Sequence, residues 1–472
     1  MTWIDVPVAG QTYIARNKRQ SNQETTNFYP HISKDDQARS VVSLEPIPGN
    51  KVFATAGSKK NRGAIKHNNL LFVVNGQELY SIDSAGTATL IGNIQGFGRV
   101  QMDTDGTNLV IVTGGIGYLY NGSLSIITDG DFLNARTVSY FNDRFIYDTP
   151  TGWCASEVGD PSTISSVNCA AIVSTKDAGG GALGVFSVGE KFYPFSETTI
   201  ESWYNPGGEV NFARESFAFD IGVAGPYAVD FNSNFAYLLG SDRIPYRFSG
   251  LSKVSLGNQA IGQELQGYTD IDDCKVICQT WDNDNFVWYI FPKANRTWLL
   301  HEESNTWWRV AGNLSKGRHA INNAVDIYGK KIICDYNSNN IYQLDWDTYL
   351  NNASPMYWER ITAPITYKTL GLRPARLFFQ GVRVVLETGI APPSGQGATP
   401  QLMLSWSVDN GNSYIGEIML DCGGGGDMMR EVVYQSGLGF IDPNQNIQFK
   451  LRMTDPQRWA ISDMQVNVEA GI

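Results

Sequence analysis

A short basic tract is the first part of this sequence whose residue types could do chemistry. Lys59, Lys60 and Arg62 lie within Ser58–Arg62, in a chain whose net charge is −11. Such a tract usually forms a solvated loop. In an acidic protein it is also a candidate contact for phosphate groups, because lysine and arginine supply much of the energy of DNA binding. We therefore treat Lys59, Lys60 and Arg62 as candidate contacts to DNA or to a partner.

The histidines and cysteines do not form a metal-binding pattern. Four histidines are scattered along the chain, at His31, His67, His301 and His319. None has the His-x-x-x-His spacing of a zinc site, so structural roles are favoured. Six cysteines are equally dispersed, at Cys154, Cys169, Cys274, Cys278, Cys334 and Cys422. Dispersal favours reduced, mostly buried thiols. The spacing of Cys274 and Cys278 places both on one face of a strand, as core positions. We predict no metal and no cofactor.

The common catalytic motifs are absent from the sequence. It has no phosphate-binding P-loop, no dinucleotide fingerprint after a strand and no Gly-x-Ser-x-Gly. Ser407–Tyr414 fits the Asp-box of sialidases and other propellers, in which the aspartate caps a hairpin turn. A sialidase would need several copies and an arginine triad, so a structural turn is favoured. We predict that the chain is not an enzyme.

Tryptophans are the remaining candidate for ligand binding. They are Trp203, Trp281, Trp288, Trp298, Trp307 and Trp308. They could form a sugar-binding platform, but large aromatic side chains also fill the gaps between propeller blades, and we favour that role for most of them. The neighbours Trp307 and Trp308 point to opposite faces of a strand. We therefore predict that one of them, Trp308, is an interface residue.

The elements that must position these residues are β-hairpins. An apolar strand, a polar turn and an aromatic-rich strand recur in seven copies: Leu70–Ile82, Asn108–Tyr120, Thr137–Tyr147, Leu183–Tyr193, Tyr227–Leu239, Val276–Ile290 and Ala324–Tyr342. Their turns contain pairs such as Asn-Gly, Gly-Gly and Asn-Asp, which are typical of two-residue hairpins. The copies recur at roughly 30 to 50 residues, the period of a propeller blade. Because no copy can bury its apolar face alone, we predict a β-propeller of six or seven blades.

The rest of the all-β chain forms an N-terminal arm and a C-terminal module. We predict that residues 1–65 form an extended arm or supply a closing strand, and that residues 66–349 form the propeller. Residues 350–472 contain half-buried strand patterns such as Leu377–Glu387, which indicate a β-sandwich-like module. Glycine-rich stretches predict loops at Asp177–Gly181, Pro392–Gly397 and Gly423–Gly426.

Charge and hydropathy exclude further classes of function. The net charge of −11 argues against wholesale wrapping of nucleic acid. Met1 is not followed by the basic and apolar regions of a signal peptide, and no apolar run is long enough to span a bilayer. We expect synthesis in a cytoplasm and no membrane insertion.

Several stretches, in a shared order, resemble the packaged-DNA stabilisation proteins, which are the tail hub or nozzle proteins of P22-like short-tailed phages. The N-terminal stretches are Asn27–Pro30, Leu44–Gly49 and Arg62–Gly63. The middle ones are Phe195–Asn205, Phe212–Arg214 and Gly240–Asp242. The C-terminal ones are Val384–Gly389, Leu402–Gly411, Gly437–Gly439 and Arg452–Ala460.

The resemblance implies a structural virion protein that forms a homo-hexamer beneath the portal and its head-to-tail adaptor. Such a hub extends the exit channel for genomic double-stranded DNA, helps to retain packaged DNA, and anchors the tail needle and the tailspikes or tail fibres. Two alternatives remain. The Asp-box and the aromatic residues favour a glycan-binding or sialidase-like propeller, and a propeller interaction module of a cell is the third possibility.

Overall fold

The computed structural model describes residues 2–33, 41–173, 181–207, 211–232, 235–250, 252–388, 394–423 and 429–471. The predicted loops Asp177–Gly181, Pro392–Gly397 and Gly423–Gly426 lie wholly or partly outside these residues, as does the end of Val384–Gly389. Within the described part, regular structure is almost entirely β, with a single helix of eight residues. None of its helices is long and apolar enough to cross a membrane. The predicted all-β class is confirmed.

Six strands precede blade 1 in the sequence. They are β1 (Thr2–Asp5), β2 (Tyr13–Ile14), β3 (Asn22–Thr26), β4 (Phe28–Ile32), β5 (Val42–Pro46) and β6 (Gly49–Thr55).

Four-stranded antiparallel units, the blades, follow in chain order. Blade 1 contains β7 (Asn61–His67), β8 (Leu70–Asn75), β9 (Glu78–Ile82) and β10 (Ala88–Asn93). Blade 2 contains β11 (Gln101–Thr104), β12 (Leu109–Thr113), β13 (Ile116–Tyr120) and β14 (Leu124–Ile126). Blade 3 contains β15 (Val138–Phe141), β16 (Arg144–Asp148), β17 (Gly152–Glu157) and β18 (Asp160–Ala171). Blade 4 contains β19 (Gly184–Val188), β20 (Lys191–Phe195), β21 (Ile200–Tyr204) and β22 (Ala213–Phe219).

Blade 5 contains β23 (Val229–Phe231), β24 (Ala236–Leu239), β25 (Pro245–Ser249) and β26 (Ser252–Ser255), and the helix α1 (Gln259–Gln266) follows it. Blade 6 contains β27 (Lys275–Trp281), β28 (Asp284–Phe291), β29 (Arg296–His301) and β30 (Thr306–Val310). Blade 7 contains β31 (Ile321–Ile327), β32 (Lys330–Asp335) and β33 (Asn340–Asp345), with β6 as its fourth strand.

Seven blades close into a ring in the described residues. The innermost strands are β7, β11, β15, β19, β23, β27 and β31; each contacts the next, and β31 contacts β7. β6 pairs antiparallel with β33, so blade 7 contains strands from both ends of the propeller segment. Apolar residues of β6, β8 and β32 pack together between blades 7 and 1. The sequence predicted either six or seven blades, and this ring has seven.

The predicted hairpins follow the turn chemistry of the sequence. Gly114-Gly115, Asn142-Asp143 and Asp282-Asn283 all have positive φ at both turn residues, as a type I′ turn requires. In the last copy the turn is Tyr328-Gly329, with φ values of 59° and 67°, one residue before the predicted Gly-Lys pair.

The C-terminal strands are β34 (Leu350–Asn351), β35 (Ser354–Pro355), β36 (Trp358–Ile361), β37 (Leu377–Glu387), β38 (Gln401–Ser407), β39 (Ile415–Asp421), β40 (Met429–Tyr434), β41 (Gly439–Ile441), β42 (Gln448–Met453) and β43 (Ala460–Ala470). One sheet has the order β4-β5-β43-β37-β40, with β1 on β43 and β41 on β37. The other runs β3-β36-β42-β38-β39 and continues into blade 6, because β3 pairs with β30. Their inner faces share one apolar core. Strands before residue 33 are therefore part of both sheets of the sandwich.

The expectation that all six cysteines are reduced is wrong for one pair. Cys154 on β17 and Cys169 on β18 stand opposite each other, with 4.1 Å between their Cα atoms, and form a disulfide. Antiparallel pairing brings together cysteines that are 15 residues apart, so dispersal along the sequence was not a sufficient criterion. The other four are free, and Cys274 and Cys278 pack in one core, as predicted.

A basic cavity at the mouth of the propeller

The axis of the propeller is nearly filled. Residues from all seven innermost strands, including Ile65, Val138 and Val276, surround a cavity of about 200 Å³. Two partly buried carboxylates on its wall join neighbouring blades. Asp103 accepts a hydrogen bond from the Tyr140 backbone N–H at 2.7 Å, and Asp230 accepts one from the Cys278 N–H at 2.8 Å. Burial raises the pKa of each carboxyl to about 6.

A much larger cavity, of about 1340 Å³, opens where several of the innermost strands begin. Six cationic side chains line it: Lys59, Lys60, Arg62, Arg99, Lys275 and Arg318. The predicted contacts Lys59, Lys60 and Arg62 thus lie together on one wall. The two lysines are exposed, whereas Arg62 is 9% exposed. We call this space the mouth cavity.

Among the described residues, Arg62 has only neutral hydrogen-bond partners. It lies near the start of β7 and donates from Nε to the Gly98 carbonyl and from Nη1 to the Gly76 carbonyl, both at 2.7 Å. Its Nη2 donates to the Thr113 hydroxyl. Burial lowers the pKa of the guanidinium from its ordinary value. Arg62 therefore fixes the loops of blades 1 and 2 at the mouth without a carboxylate.

Asn322 holds two further cations side by side. Its carbonyl oxygen accepts a hydrogen bond from Arg99 Nη1 at 3.2 Å, and its Oδ1 accepts one from Lys275 Nζ. The Arg99 guanidinium also lies over the Tyr227 ring, 5.2 Å from its centroid. Burial, together with repulsion by Arg99 and Arg318, lowers the pKa of Lys275 to about 6. The cations are close enough to disfavour one another's charge.

Arg318 completes the wall and, in the described part of the chain, also forms no ion pair with a carboxylate. It is 7% exposed, lies 3.7 Å above the centroid of the Tyr336 ring, and donates from Nη2 to the Ile321 carbonyl at 3.2 Å. None of Arg62, Arg99, Lys275 and Arg318 forms an ion pair with a carboxylate of the described residues. Three carboxylates also line the cavity. Lys293 engages Asp272 through its ammonium group at 2.7 Å and Asp273 through its backbone N–H at 2.6 Å. Glu78 accepts a hydrogen bond from the Tyr80 hydroxyl at 2.7 Å.

Part of this site could have been predicted from a regular spacing of arginines in the sequence. Arg62, Arg99 and Arg136 are each 37 residues apart (99 − 62 and 136 − 99) and lie at or just before the innermost strands of blades 1, 2 and 3. A cation recurring at the blade period indicates one end of the ring. Arg136 is paired with Asp148 at 3.2 Å, which distinguishes it from the other two. Lys275 and Arg318 carry no comparable spacing.

Trp308 is not an exposed interface residue. Trp307 and Trp308 are each 1% exposed, because both faces of β30 are covered. Trp307 packs in the core between blades 5 and 6, and Trp308 packs in the core shared with the sandwich. The premise that one of two neighbouring tryptophans must face solvent fails where a sheet is buried on both sides. The other tryptophans also lie in or against apolar cores, as favoured.

The Asp-box is a structural turn, as predicted. Asp409 Oδ1 accepts hydrogen bonds from the backbone N–H groups of Asn412 at 3.0 Å and Ser413 at 2.9 Å, in the hairpin between β38 and β39. Hydrogen bonds from Ser413 lower the pKa of Asp409 to about 2. The carboxylate is occupied in closing the turn.

Two of the four histidines have clear structural roles. His319 is buried and stacks on Trp288 with ring centroids 5.3 Å apart, and burial lowers its pKa to about 3. His67 hydrogen-bonds the Thr104 hydroxyl at 2.7 Å, between blades 1 and 2. His31 is exposed on β4.

His301 has a more polar environment than the sequence indicated. A ring nitrogen of His301 and carboxylate oxygens of Asp284 and Glu303 lie within 4.8 Å of one another. His301 Nε2 is 3.5 Å from Asp284 Oδ2, and Nδ1 is 2.7 Å from the Ser304 hydroxyl. Pairing of β28 with β29 brings Asp284 to His301, which histidine spacing alone could not reveal. Acidic groups of this kind are common without a metal ion, and no function follows from the group.

Two family models match the chain. The model of the bacteriophage P22 Gp10 β-propeller matches residues 5–349, and that of the P22 Gp10 β-sandwich matches residues 366–469. The chain belongs to the bacteriophage P22 Gp10 family. It is therefore a structural protein of the phage tail whose family stabilises packaged DNA, and the resemblance seen in the sequence is confirmed.

Comparison with other known proteins adds little. No curated protein matches the chain. Similar solved structures include the extracellular domain of a hybrid two-component system from B. thetaiotaomicron (9% identity, TM-score 0.44, 71% of this chain and 43% of that one). They also include PorZ of Porphyromonas gingivalis (11%, 0.39, 61% and 37%) and the N-terminal domain of Nup159 (9%, 0.40, 68% and 98%). The chain spans less than half the length of the first two. At these TM-scores the likenesses carry no argument about function.

Proposed function

We propose that this chain is a subunit of the tail hub, or nozzle, that extends the DNA exit channel below the portal and its adaptor ring and helps to retain the packaged genome. The observation that carries the proposal is the match to the P22 Gp10 family over both the propeller and the sandwich. The chemistry of the described residues agrees with a structural role, since the Asp-box carboxylate closes a turn.

The exit channel would lie between copies of the chain. The axial cavity of one propeller, about 200 Å³, has room for only a small group of water molecules. It cannot admit a DNA duplex, whose major groove alone is about 12 Å wide. A channel for duplex DNA therefore requires several subunits around a common axis. We propose a homo-hexamer, in which head-to-tail contacts close the ring.

The remaining partners belong to the same proposal. The hexamer would dock on the portal–adaptor complex, be made in the host cytoplasm, and anchor the tail needle and the tailspikes or tail fibres. Genomic double-stranded DNA would pass through its channel. The net charge of −11 supports a wall with low affinity for DNA, because a strongly basic wall would retard a sliding duplex.

Electron microscopy of the purified chain, alone and mixed with a portal–adaptor complex, tests the proposal. Sixfold rings that cap the complex are expected. Copies that never dock would contradict the hub function. Turnover of a fluorogenic sialoside by the same preparation would instead support the sialidase-like alternative.

A further inference from the structure

We propose that the mouth cavity binds phosphate groups of a nucleotide or of a flexible nucleic-acid strand. This inference goes beyond the proposed tail function, in which the genome passes as a duplex, and it depends only on the residues of the cavity.

The cations of the mouth cavity are only partly offset by carboxylates. Arg62, Arg99, Lys275 and Arg318 line one cavity, and their partners are carbonyl oxygens, a hydroxyl, an amide and aromatic rings. A cation removed from water is costly unless an anion compensates it. Arg62 and Arg318 are buried, and Arg99 and Lys275 are partly buried. Six cationic side chains face three carboxylates, those of Glu78, Asp272 and Asp273, around this space of about 1340 Å³, so an anionic ligand would offset the excess positive charge.

The mouth cavity also contains donor groups that have no hydrogen-bond partner among the described residues. Arg99 Nε and Arg318 Nε have no hydrogen-bond partner among the described residues. Lys59 and Lys60 are exposed on the rim, and their ammonium groups form no ion pair or hydrogen bond with the described part of the chain. Guanidinium and ammonium groups are the usual protein ligands of phosphate oxygens. A phosphate group would therefore meet exposed lysines at the rim and buried arginines deeper in the cavity.

Aromatic side chains favour a nucleotide over a simple anion. Phe97 is 84% exposed on the cavity wall, between two glycines with positive φ, Gly96 and Gly98. Tyr227 and Tyr336 also line the cavity. Sites for single-stranded nucleic acid combine cationic groups, which contact the backbone, with aromatic side chains, on which the bases stack. An exposed Phe97 is available to stack on a base.

The depth of the site favours a flexible strand over a duplex. Arg62 and Arg318 lie behind the rim, with less than a tenth of their surfaces exposed. A rigid duplex would touch only the rim lysines, Lys59 and Lys60. A mononucleotide or a single strand can enter and bring a phosphate to the buried arginines.

Fluorescence anisotropy with a labelled oligothymidylate that lacks terminal phosphates tests the inference at low salt, on the full chain. Wild type is expected to bind, and Lys59→Ser combined with Lys60→Ser is expected to weaken binding about tenfold. The matched control is Lys66→Ser combined with Lys253→Ser, two exposed lysines outside the mouth cavity, which should leave affinity unchanged. Inorganic phosphate and a mononucleotide, added as competitors, distinguish a site for any phosphate from a site for a strand.

A pH profile adds a readout that surface attraction would not produce. Lys275 faces Arg99, Arg318, Lys60 and Asp273, and a bound phosphodiester would favour its charged form. Strand binding should therefore be tighter at pH 6 than at pH 8, and Lys275→Met should remove that difference. A phosphodiester does not itself titrate in this range.

Several outcomes would overturn the inference. They are absence of strand binding at low salt, equal loss in the mouth and control variants, equally tight binding of duplex, or preferential binding of an oligoglutamate peptide. Docking on the portal–adaptor complex is measured separately, by electron microscopy. A chain that docks but binds no strand refutes the phosphate site alone, whereas one that binds a strand but never docks refutes the hub alone.

Discussion

Lys275 combines an ionisable group with an environment that opposes its charge. Its pKa is about 6 in the folded chain and 10.5 ordinarily, through burial and through repulsion by Arg99 and Arg318. Between these two pH values the unfolded chain binds more protons than the folded one, so Lys275 lowers stability as pH falls from 10.5 towards 6. The penalty is complete below about pH 6 and absent above pH 10.5.

Lys275→Met should therefore stabilise the protein in a pH-dependent way. We expect the variant to exceed wild type by about 1 kcal/mol near pH 6, with the gain disappearing towards pH 10. Urea unfolding at a series of pH values measures the difference. Lys331→Met, a change of a partly exposed lysine paired with Asp326, is the control and should show no comparable pH dependence. A gain that grew as pH rose would contradict the sign.

The cysteines give a second prediction at the residue scale. Unfolding without reductant should expose four thiols and unfolding with reductant six, because Cys154 and Cys169 form a disulfide. The folded chain should react slowly with a thiol reagent, since burial raises the pKa of every free cysteine above its ordinary value. Replacing Cys154 and Cys169 by serine should lower the free energy of unfolding by about 3 kcal/mol for a 15-residue loop. Six thiols without reductant would show that the bond is absent.

Two glycines contrast tight contact between elements with open space. A Cβ on Gly225, between blades 4 and 5, would lie 2.0 Å from the backbone oxygen of Asp272, which precedes blade 6. Gly225→Ala should lower the free energy of unfolding by about 1–3 kcal/mol or more, because backbone must move. In α1, a Cβ on Gly262 would meet nothing within 4 Å. Gly262→Ala should raise stability by about 0.5–1 kcal/mol. Thermal or urea unfolding of both variants measures this contrast, and equal effects would contradict it.

Elements differ in how much of them the sequence could predict. Hairpins such as Gly114-Gly115 and Asn142-Asp143 were predictable because a type I′ turn is decided by the residues in it. The pairing of Cys154 with Cys169 depended on strand register, and the burial of Trp308 depended on a sheet covered on both faces by distant strands. The mouth cavity required the ring itself, since Arg62 and Arg318 are brought together only when blade 7 meets blade 1. The sequence therefore predicted the features that neighbouring residues decide, but not those that depend on which distant strands pair.

At the scale of the whole molecule, the chain crosses between its two family regions more than once. β1 and β5 pair with β43, while β3 lies between β36 and β30 of blade 6. Arg360 on β36 is buried and donates to the Val8 carbonyl at 2.6 Å, to Thr25 Oγ1 at 2.9 Å and to Gln23 Oε1 at 2.8 Å. Burial lowers its pKa to about 9. The sandwich is thus completed by residues from the opposite end of the sequence.

This interweaving predicts that the sandwich does not fold alone, although a family model matches it as a unit. A fragment of residues 362–472 lacks β1, β3, β4, β5 and β36, which leaves the faces and edges of both sheets unpaired. We expect the fragment to give the circular dichroism and amide exchange of an unfolded chain.

The complete protein should unfold in one transition, with tryptophan fluorescence and far-ultraviolet dichroism coinciding. A folded fragment, or two separate transitions in the complete chain, would show that the propeller and the sandwich are independent. Joining residues 2–48 through a flexible linker to a fragment of residues 356–472 is the matched test, because it restores β1, β3–β5 and β36 and should recover protected amides if those strands are what the sandwich lacks.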